Sequence, residues 1–171
     1  MSSILSTLST WAPYHLFTFG ILFGSTVYQS FFVGIASFRA LPRQHFAALQ
    51  RKIFPPYFTM QTVAPLLLAL TCPFGLKDTA SMVLLGATSI SGLVNLAIIG
   101  PKTVDLMIAR KTQETKEGKK YYEEDVSQDM LDLNKKFGVM HGISAVVNLG
   151  TLFAISAYGV FLSAAITAGL Q

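Results

Sequence analysis

The ionisable side chains of this chain are confined to a few short stretches. Every Lys, Arg, Asp and Glu lies within residues 39–52, 77–78 or 102–136. Four stretches contain no such residue, namely 1–38, 53–76, 79–101 and 137–171. A helix needs about 20 apolar residues to cross a bilayer, and each charge at its centre costs about 2.5–3.5 kcal/mol. The pattern therefore predicts four transmembrane helices.

Composition supports a membrane environment. Hydrophobic residues make up 51% of the chain and charged residues 13%, and a soluble protein of this composition would aggregate. We therefore predict an all-α fold, an integral membrane four-helix bundle forming a single domain over residues 1–171. Pro55-Pro56 should break the chain before helix 2, and Pro73 with Gly75 should end it. The predicted helices span about 14–38, 57–74, 80–100 and 137–162, and the large loops between them span 39–56 and 101–136.

The distribution of Lys and Arg predicts the orientation. The two large loops must share one side, because two helices separate them, and they hold twelve of the thirteen Lys and Arg residues. The positive-inside rule places both loops in the cytoplasm and both termini on the other side. The net charge of +4 lies entirely in the first loop. This excludes a general nucleic-acid surface and predicts attraction to anionic lipid headgroups at the cytoplasmic face.

Both loops have helical patterns. Phe46, Leu49 and Ile53 share one face, which predicts a short amphipathic interfacial helix between helices 1 and 2; the alternative is a plain connector. The second large loop divides at Gly118. Its first part should extend helix 3 into the cytoplasm, and the acidic run 123–125 should open a helix leading into helix 4. A solvated hairpin is the expected role of this extension, and a docking site is the alternative.

Polar residues inside the predicted helices fall at two depths. Counting 1.5 Å per residue from the cytoplasmic ends, Gln61, Asn95 and His141 lie roughly 6–8 Å deep. Gln29 and Asn148 lie roughly 14–17 Å deep. We predict two hydrogen-bonded layers, Gln61/Asn95/His141 and Gln29/Asn148. Interhelical stabilisation is favoured over a polar relay, because no carboxylate lies inside a helix to couple protons or cations.

Small residues suggest close helix packing. Gly20 and Gly24 form one GxxxG motif, and Gly138 and Gly142 form another. GxxxG motifs let two helix backbones approach. We expect these motifs to pack within the chain, and the alternative is a homodimer through Gly20/Gly24 or Gly138/Gly142.

The sequence provides no recognisable catalytic or metal-binding motif. His15 and His141 fall near opposite ends of the bundle and cannot share a haem, and His45 with His141 is a poor metal set. Hydrolase, nucleotide-binding and metalloprotease fingerprints do not occur. Cys72 is the one cysteine and is expected to pack. We therefore expect no enzyme activity, no cofactor and no metal.

Three motifs resemble a known family. The run from Phe38 to Phe58 is similar to the signature F-R-x-L-P-R-x-x-F-x-x-x-Q-x-K-x-F-P-x-Y-F of the transmembrane protein 205-like family. Asn95 to Thr103 resembles its N-x5-P-x-T stretch, and His141 to Gly150 resembles its H-G-x-S-x3-N-L-G. The chain differs from this family at Ile99-Gly100, where relatives can carry a charge, and in the loop between helices 3 and 4.

The resemblance implies a four-helix protein of the endomembrane system, with a mitochondrial membrane as the alternative, and it implies no reaction. It draws attention to recurring residues that, with Gln61, could form a basic pocket with a polar floor for a lipid phosphate or another anion. These candidate site residues are Arg39, Arg43, Gln50, Lys52, Gln61, Asn95, His141 and Asn148. The leading hypothesis is a non-enzymatic protein that binds lipid headgroups or a partner protein at its cytoplasmic face. A small oligomeric transporter or channel is the alternative, and a membrane enzyme is the third.

Overall fold

The structure, a computed structural model, describes residues 2–72 and 78–168 and contains no β-strand within them. Two π-helical turns, Gln29–Val33 and Asn95–Ile99, interrupt the α-helices. The α-helices are α1 (Ser2–Leu8), α2 (Ala12–Tyr28), α3 (Gly34–Ala40), α4 (Arg43–Leu70), α5 (Thr79–Val94), α6 (Gly100–Glu117) and α7 (Gln128–Ala168).

Four helical segments are long and apolar enough to cross a membrane, as predicted. They are span 1 (Ala12–Ala40), span 2 (Arg43–Leu70), span 3 (Thr79–Glu117) and span 4 (Gln128–Ala168). Their outer surface is apolar as well as their core: Phe153 is 68% exposed and Val146 70%. Leu22, Leu68 and Ile155 are fully buried between the spans. Apolar side chains on both faces suit helices whose outer surface contacts lipid rather than water.

The break predicted at Pro55-Pro56 is wrong. α4 continues through both prolines, so the expected amphipathic helix and helix 2 are one helix from Arg43 to Leu70. Both prolines remove hydrogen-bond donors from the carbonyls of Arg51 and Lys52. These two residues are exposed, so water and headgroups can satisfy those carbonyls. Stacking of Phe54 on Phe58, with ring centroids 5.4 Å apart, supports the helix across the prolines.

Helix 2 begins and ends earlier in the chain than predicted. α4 begins fourteen residues before the predicted start at position 57, directly after the extended Pro42. It ends at Leu70 rather than at 74. Pro73, Gly75 and the predicted end at 74 lie outside the described residues.

The connection predicted between 101 and 136 is largely helical, and its division at Gly118 is confirmed. α6 extends span 3 to Glu117, and Gly118 ends it with a φ of 68°, a conformation that glycine adopts without strain. The acidic run does not open a helix, because α7 begins only at Gln128. Asp125, at φ 56°, instead lies in the turn between the two helices. α7 then continues without interruption into span 4, well before the predicted start at 137.

The π-turn at Asn95–Ile99 has a local cause in the residues that follow it. Gly100 donates its backbone N–H to the Asn95 carbonyl, five residues back, as a π-turn requires. A Cβ at Gly100 would lie 2.8 Å from that carbonyl oxygen, so glycine permits the approach. Pro101 has no N–H to donate, and the wider turn separates its ring from the preceding carbonyls.

Close packing occurs at Gly92 rather than at the GxxxG motifs. A Cβ at Gly92 would lie 2.7 Å from the carbonyl carbon of Gln61, so α4 and α5 are in backbone contact there. At each of the four glycines of the motifs, a Cβ would have nothing within 4 Å. The expected packing of Gly20/Gly24 and Gly138/Gly142 within the chain is therefore wrong, because these residues face the outside of the bundle.

Candidate functional site: polar networks within the bundle

A network of buried and half-buried polar side chains, here called the central network, joins spans 1, 2 and 4. The Asn148 Oδ1 accepts hydrogen bonds from the Tyr57 hydroxyl (2.7 Å) and from Gln61 Nε2 (2.9 Å). The Asn148 Nδ2 donates to the Ser30 hydroxyl at 2.8 Å. Gln61 Nε2 also lies 3.5 Å from the Thr26 hydroxyl. Asn148 is thus the point at which three helices are connected.

Helical spacing explains the part of the network on α4, where Tyr57 and Gln61 are four residues apart on one face. On span 1, Ser30 lies in the π-turn Gln29–Val33 and joins the network together with Thr26. Gln61 and Thr26 are completely buried. The Gln61 Oε1 has no hydrogen-bond partner among the described residues. An unpaired buried polar atom costs about 1–3 kcal/mol, so this amide is the least satisfied member of the network.

The predicted pairing of the two layers is wrong, although their residues do form interhelical bonds. Asn148 bonds to Gln61, Tyr57 and Ser30 rather than to Gln29, which is only half-buried. The predicted depths of Asn148 and Gln61 differ because they assume that helix 2 starts at position 57. Since α4 has fourteen more helical residues before that point, counting from it misjudges the register against span 4.

Asn95 forms a separate pair. Its Oδ1 accepts a hydrogen bond from the Ser144 hydroxyl at 2.9 Å, which joins spans 3 and 4 at the π-turn. Asn95 is fully buried, and its Nδ2 has no partner within the described part of the chain. His141 does not join it. The His141 ring is exposed and stacks on Phe137, with centroids 6.1 Å apart and planes 3° apart.

A second buried cluster lies at the opposite end of the bundle and is absent from the sequence-based prediction. His15 Nδ1 lies 3.1 Å from the Thr71 hydroxyl, and its Nε2 lies 2.9 Å from the Tyr158 hydroxyl. His15 and Tyr158 are fully buried. The sequence does indicate this cluster, because the three polar residues lie near the ends of spans 1, 2 and 4 that are opposite the two large loops. The His15 ring, which cannot share a haem with His141, has both nitrogens within hydrogen-bond distance of a hydroxyl group in the bundle.

The basic residues of the first connection remain at the surface. Arg39, Arg43 and Lys52 are exposed. The Arg43 guanidinium lies 4.4 Å from the Phe38 ring centroid and 5.8 Å from that of Tyr122. This second contact brings the two charged connections together at one end of the bundle. We call this end, defined by Arg39, Arg43, Arg51 and Lys52, the basic end.

Gln50 and the 118–128 turn complete the charged end. Gln50 is 8% exposed and donates to the Ser37 hydroxyl at 3.1 Å. Arg110 is buried between the rings of Tyr121 (3.7 Å from centroid) and Phe137 (4.5 Å). Cation–π contacts of this kind stabilise a desolvated guanidinium by about 2 kcal/mol. They fix α6 against α7 outside the apolar part of the spans.

The eight predicted site residues therefore do not form a single group. Gln61 and Asn148 share the central network, and Asn95 pairs with Ser144. The other predicted residues belong to neither group, namely Arg39, Arg43, Gln50, Lys52 and His141. Within residues 2–72 and 78–168, no three His, Cys, Asp or Glu side chains are placed to hold a metal ion.

Four apolar spans joined by buried polar networks define a multi-pass membrane protein. The chain belongs to the family described as domain of unknown function DUF4149, whose model matches residues 17–112. It is 31% identical, over 178 aligned positions, to xanthocillin biosynthesis cluster protein D of Aspergillus fumigatus. That similarity covers 99% of this chain and 100% of the relative. No solved structure matches the chain. The resemblance to the transmembrane protein 205-like family stays a prediction.

Proposed function

We propose that this protein is a non-enzymatic membrane protein that binds anionic lipid headgroups through its basic end, at the cytoplasmic face. The observation that carries the proposal is a set of exposed cations without acidic partners. Among the described residues, the one ion pair joins Lys111 to Glu114. Arg39, Arg43 and Lys52 therefore have no carboxylate of the described chain within ion-pair distance, and their charge is available to a phosphate.

The position of these cations beside apolar helix favours a lipid over a soluble anion. Phe38 and Leu49, next to them in sequence, are exposed by 46% and 36%. A basic residue near an anionic membrane surface contributes about 1 kcal/mol of attraction. The Arg43 guanidinium lies over the Phe38 ring at the surface, and a guanidinium can bind a phosphate through two hydrogen bonds.

The proposal also includes an orientation of the protein in its membrane. We place the first half of α4 at the membrane interface and the α6–α7 hairpin in the cytoplasm, with both termini on the opposite side. The excess of Lys and Arg in the two large connections supports this orientation. The proposed membrane is one of the endomembrane system. A glycosylation acceptor site inserted at the 118–128 turn should stay unmodified, and modification there would contradict the orientation.

The lipid proposal can be tested by native mass spectrometry of the detergent-solubilised protein with added phosphatidylserine. We expect the triple variant Arg39→Gln/Arg43→Gln/Lys52→Gln to retain roughly tenfold less of this lipid than the wild type. Each lost charge removes about 1 kcal/mol of attraction, and the remaining basic residues compensate part of this loss. The matched control, Lys116→Gln/Lys119→Gln/Lys120→Gln, removes the same charge from the other connection. Equal retention by both triple variants would refute a site at the basic end.

A homodimer is a further part of the proposal. Gly20 and Gly24 on α2 and Gly138 and Gly142 on α7 face away from the bundle, where a second copy could approach closely. Replacing each pair with Leu should reduce crosslinking between two copies if its surface forms the contact. Unchanged crosslinking in both double variants would exclude these surfaces.

A second candidate function is a small oligomeric transporter or channel. The supporting observation is the buried Gln61 Oε1, which has no partner among the described residues of the central network. The relative's name places it in a biosynthesis cluster for xanthocillin, and a membrane protein without enzyme motifs could move such a compound. Solute flux into liposomes containing the purified protein, lost on Asn148→Leu, would favour this candidate. Absence of flux for a panel of small solutes would favour the lipid-binding role.

A further inference from the structure

A groove of about 660 Å³ lies between α6 and α7 and shares no lining residue with the basic end or the central network. Its apolar part includes Val139 and Met140. Its rim carries side chains of both charges, namely Lys102, Asp105, Asp132, Lys135 and Lys136. The groove therefore combines a surface for hydrocarbon with positive and negative groups close together.

The charges of the rim do not neutralise one another directly. The one ion pair within the described residues joins Lys111 and Glu114, outside the groove. The Asp132 Oδ1 accepts a hydrogen bond from the Gln128 side-chain amide at 3.0 Å, and this neutral partner leaves the carboxylate without a direct ion pair among the described residues. Opposite charges that share a groove without touching suit a ligand that carries both charges itself.

Contacts on either side of the groove give its direction along the bundle. Asn95 contacts Ser144 within the apolar spans, whereas Arg110 contacts Phe137 outside them. Lys102 and Val139 therefore lie toward the apolar end of the groove. Asp132 lies one turn beyond Lys136, about 6 Å further from the apolar region. Along each helix, a lysine therefore lies nearer the apolar spans and an aspartate follows it outward, Lys102 before Asp105 on α6 and Lys136 before Asp132 on α7.

We propose that this groove binds a zwitterionic phospholipid with a primary amine headgroup, of the phosphatidylethanolamine class. Its phosphate contacts Lys102 and Lys136, its ammonium contacts Asp132 and Asp105, and an acyl chain follows Val139 and Met140. In such a lipid the phosphate is nearer the hydrocarbon and the amine further out, which matches the order of charges. This site is independent of the basic end and has a different lipid preference.

The chemistry of the rim discriminates against other headgroups. An anionic lipid without an amine would place its phosphate at Lys102 and Lys136 but would leave Asp105 and Asp132 without a positively charged partner. A choline headgroup is best held by aromatic rings, and no aromatic side chain of the described chain lines this groove. A primary ammonium, by contrast, donates hydrogen bonds to carboxylates.

The test uses the full chain in mild detergent with a phosphatidylethanolamine that carries a photoreactive group in one acyl chain. We expect crosslinks in the segments 102–106 and 132–140. Competition with unlabelled phosphatidylethanolamine should remove them at least fivefold more effectively than competition with phosphatidylglycerol of the same chain length. Crosslinks confined to other segments, or equal competition by the two lipids, would overturn the proposal.

Two variants separate this site from the basic end. Asp105→Asn/Asp132→Asn should abolish the preference for phosphatidylethanolamine over phosphatidylglycerol in the competition. Lys102→Gln/Lys136→Gln should reduce crosslinking of the photoreactive lipid at least fivefold. The triple variant at Arg39, Arg43 and Lys52 should leave the groove crosslinks unchanged even if it loses phosphatidylserine. If the Asp variant retained the wild-type preference, the assignment of the amine to these carboxylates would be wrong.

Discussion

The contact between Gly92 and α4 allows a quantitative prediction. In Gly92→Ala the new methyl carbon would lie 2.7 Å from Gln61 C, 2.8 Å from Thr62 N and 2.9 Å from Gln61 Cβ. Carbon atoms pack favourably at about 3.5–4.0 Å, so α5 must move away from α4 by about 1 Å. Two of the three atoms are backbone atoms and cannot rotate aside. We therefore expect a cost near the upper end of the overpacking range, about 3 kcal/mol.

The same displacement would weaken a second interaction. The Ser89 hydroxyl donates to the Thr62 carbonyl at 2.7 Å across this interface, and interhelical bonds of this kind contribute about 0.6 kcal/mol. Alanine has a higher helix propensity than glycine by about 1 kcal/mol. The net loss in the free energy of unfolding is therefore about 2–3 kcal/mol.

Gly86→Ala is the matched control for this measurement. It lies on the same helix, and a methyl group there has nothing within 4 Å, so it should be neutral or stabilising by up to about 1 kcal/mol. Both variants can be unfolded with SDS in mixed micelles and followed by far-UV circular dichroism. The reasoning is refuted if Gly92→Ala unfolds at the same SDS fraction as Gly86→Ala.

Three further predictions concern single polar residues. Asn148→Leu removes three interhelical bonds and should destabilise the protein by about 2 kcal/mol in the same SDS titration; a wild-type midpoint would contradict this. Tyr158→Phe removes one bond, to His15, and should cost under about 1 kcal/mol, so a larger loss would indicate a different role. Hydrogen bonding from Ser81 lowers the pKa of the exposed Asp78 carboxyl below its ordinary 3.8. The resulting stabilisation is present above that pH and is lost as the pH falls through the lowered pKa. Asp78→Asn should therefore reduce the acid dependence of the melting temperature in detergent.

The membrane spans can be predicted from the sequence because charge desolvation is a large cost throughout the bilayer core. The stretches without Lys, Arg, Asp or Glu coincide with the apolar parts of all four spans. Proline predicts helix boundaries less reliably. Pro55 and Pro56 predict a break in the helix, but α4 continues through them, because Arg51 and Lys52, whose carbonyls lose their donors, lie at the surface.

The partners of the polar residues cannot be predicted in the same way. Counting residues gives depth along a helix but not the direction a side chain faces relative to other helices. Sequence alone indicates that the polar Asn148 lies within a membrane span, yet it does not indicate its partners Tyr57 and Ser30. Tyr57 falls at the start of a predicted helix, and Ser30 lies in a π-turn that ordinary helical spacing does not anticipate.

The π-turn before Pro101 also sets the angular relation between the two halves of span 3. Each residue of an α-helix advances about 100° around the axis, and a π-turn accommodates one more residue in its loop. The side chains of α6 therefore point in directions rotated by about one residue's advance, relative to a uniform α-helix continued from α5. Winding the same residues as uniform α-helix, with none removed, would rotate Arg110 by about this angle, away from the rings of Tyr121 and Phe137. The stacked guanidinium outside the bilayer thus depends on an irregularity of the backbone within it.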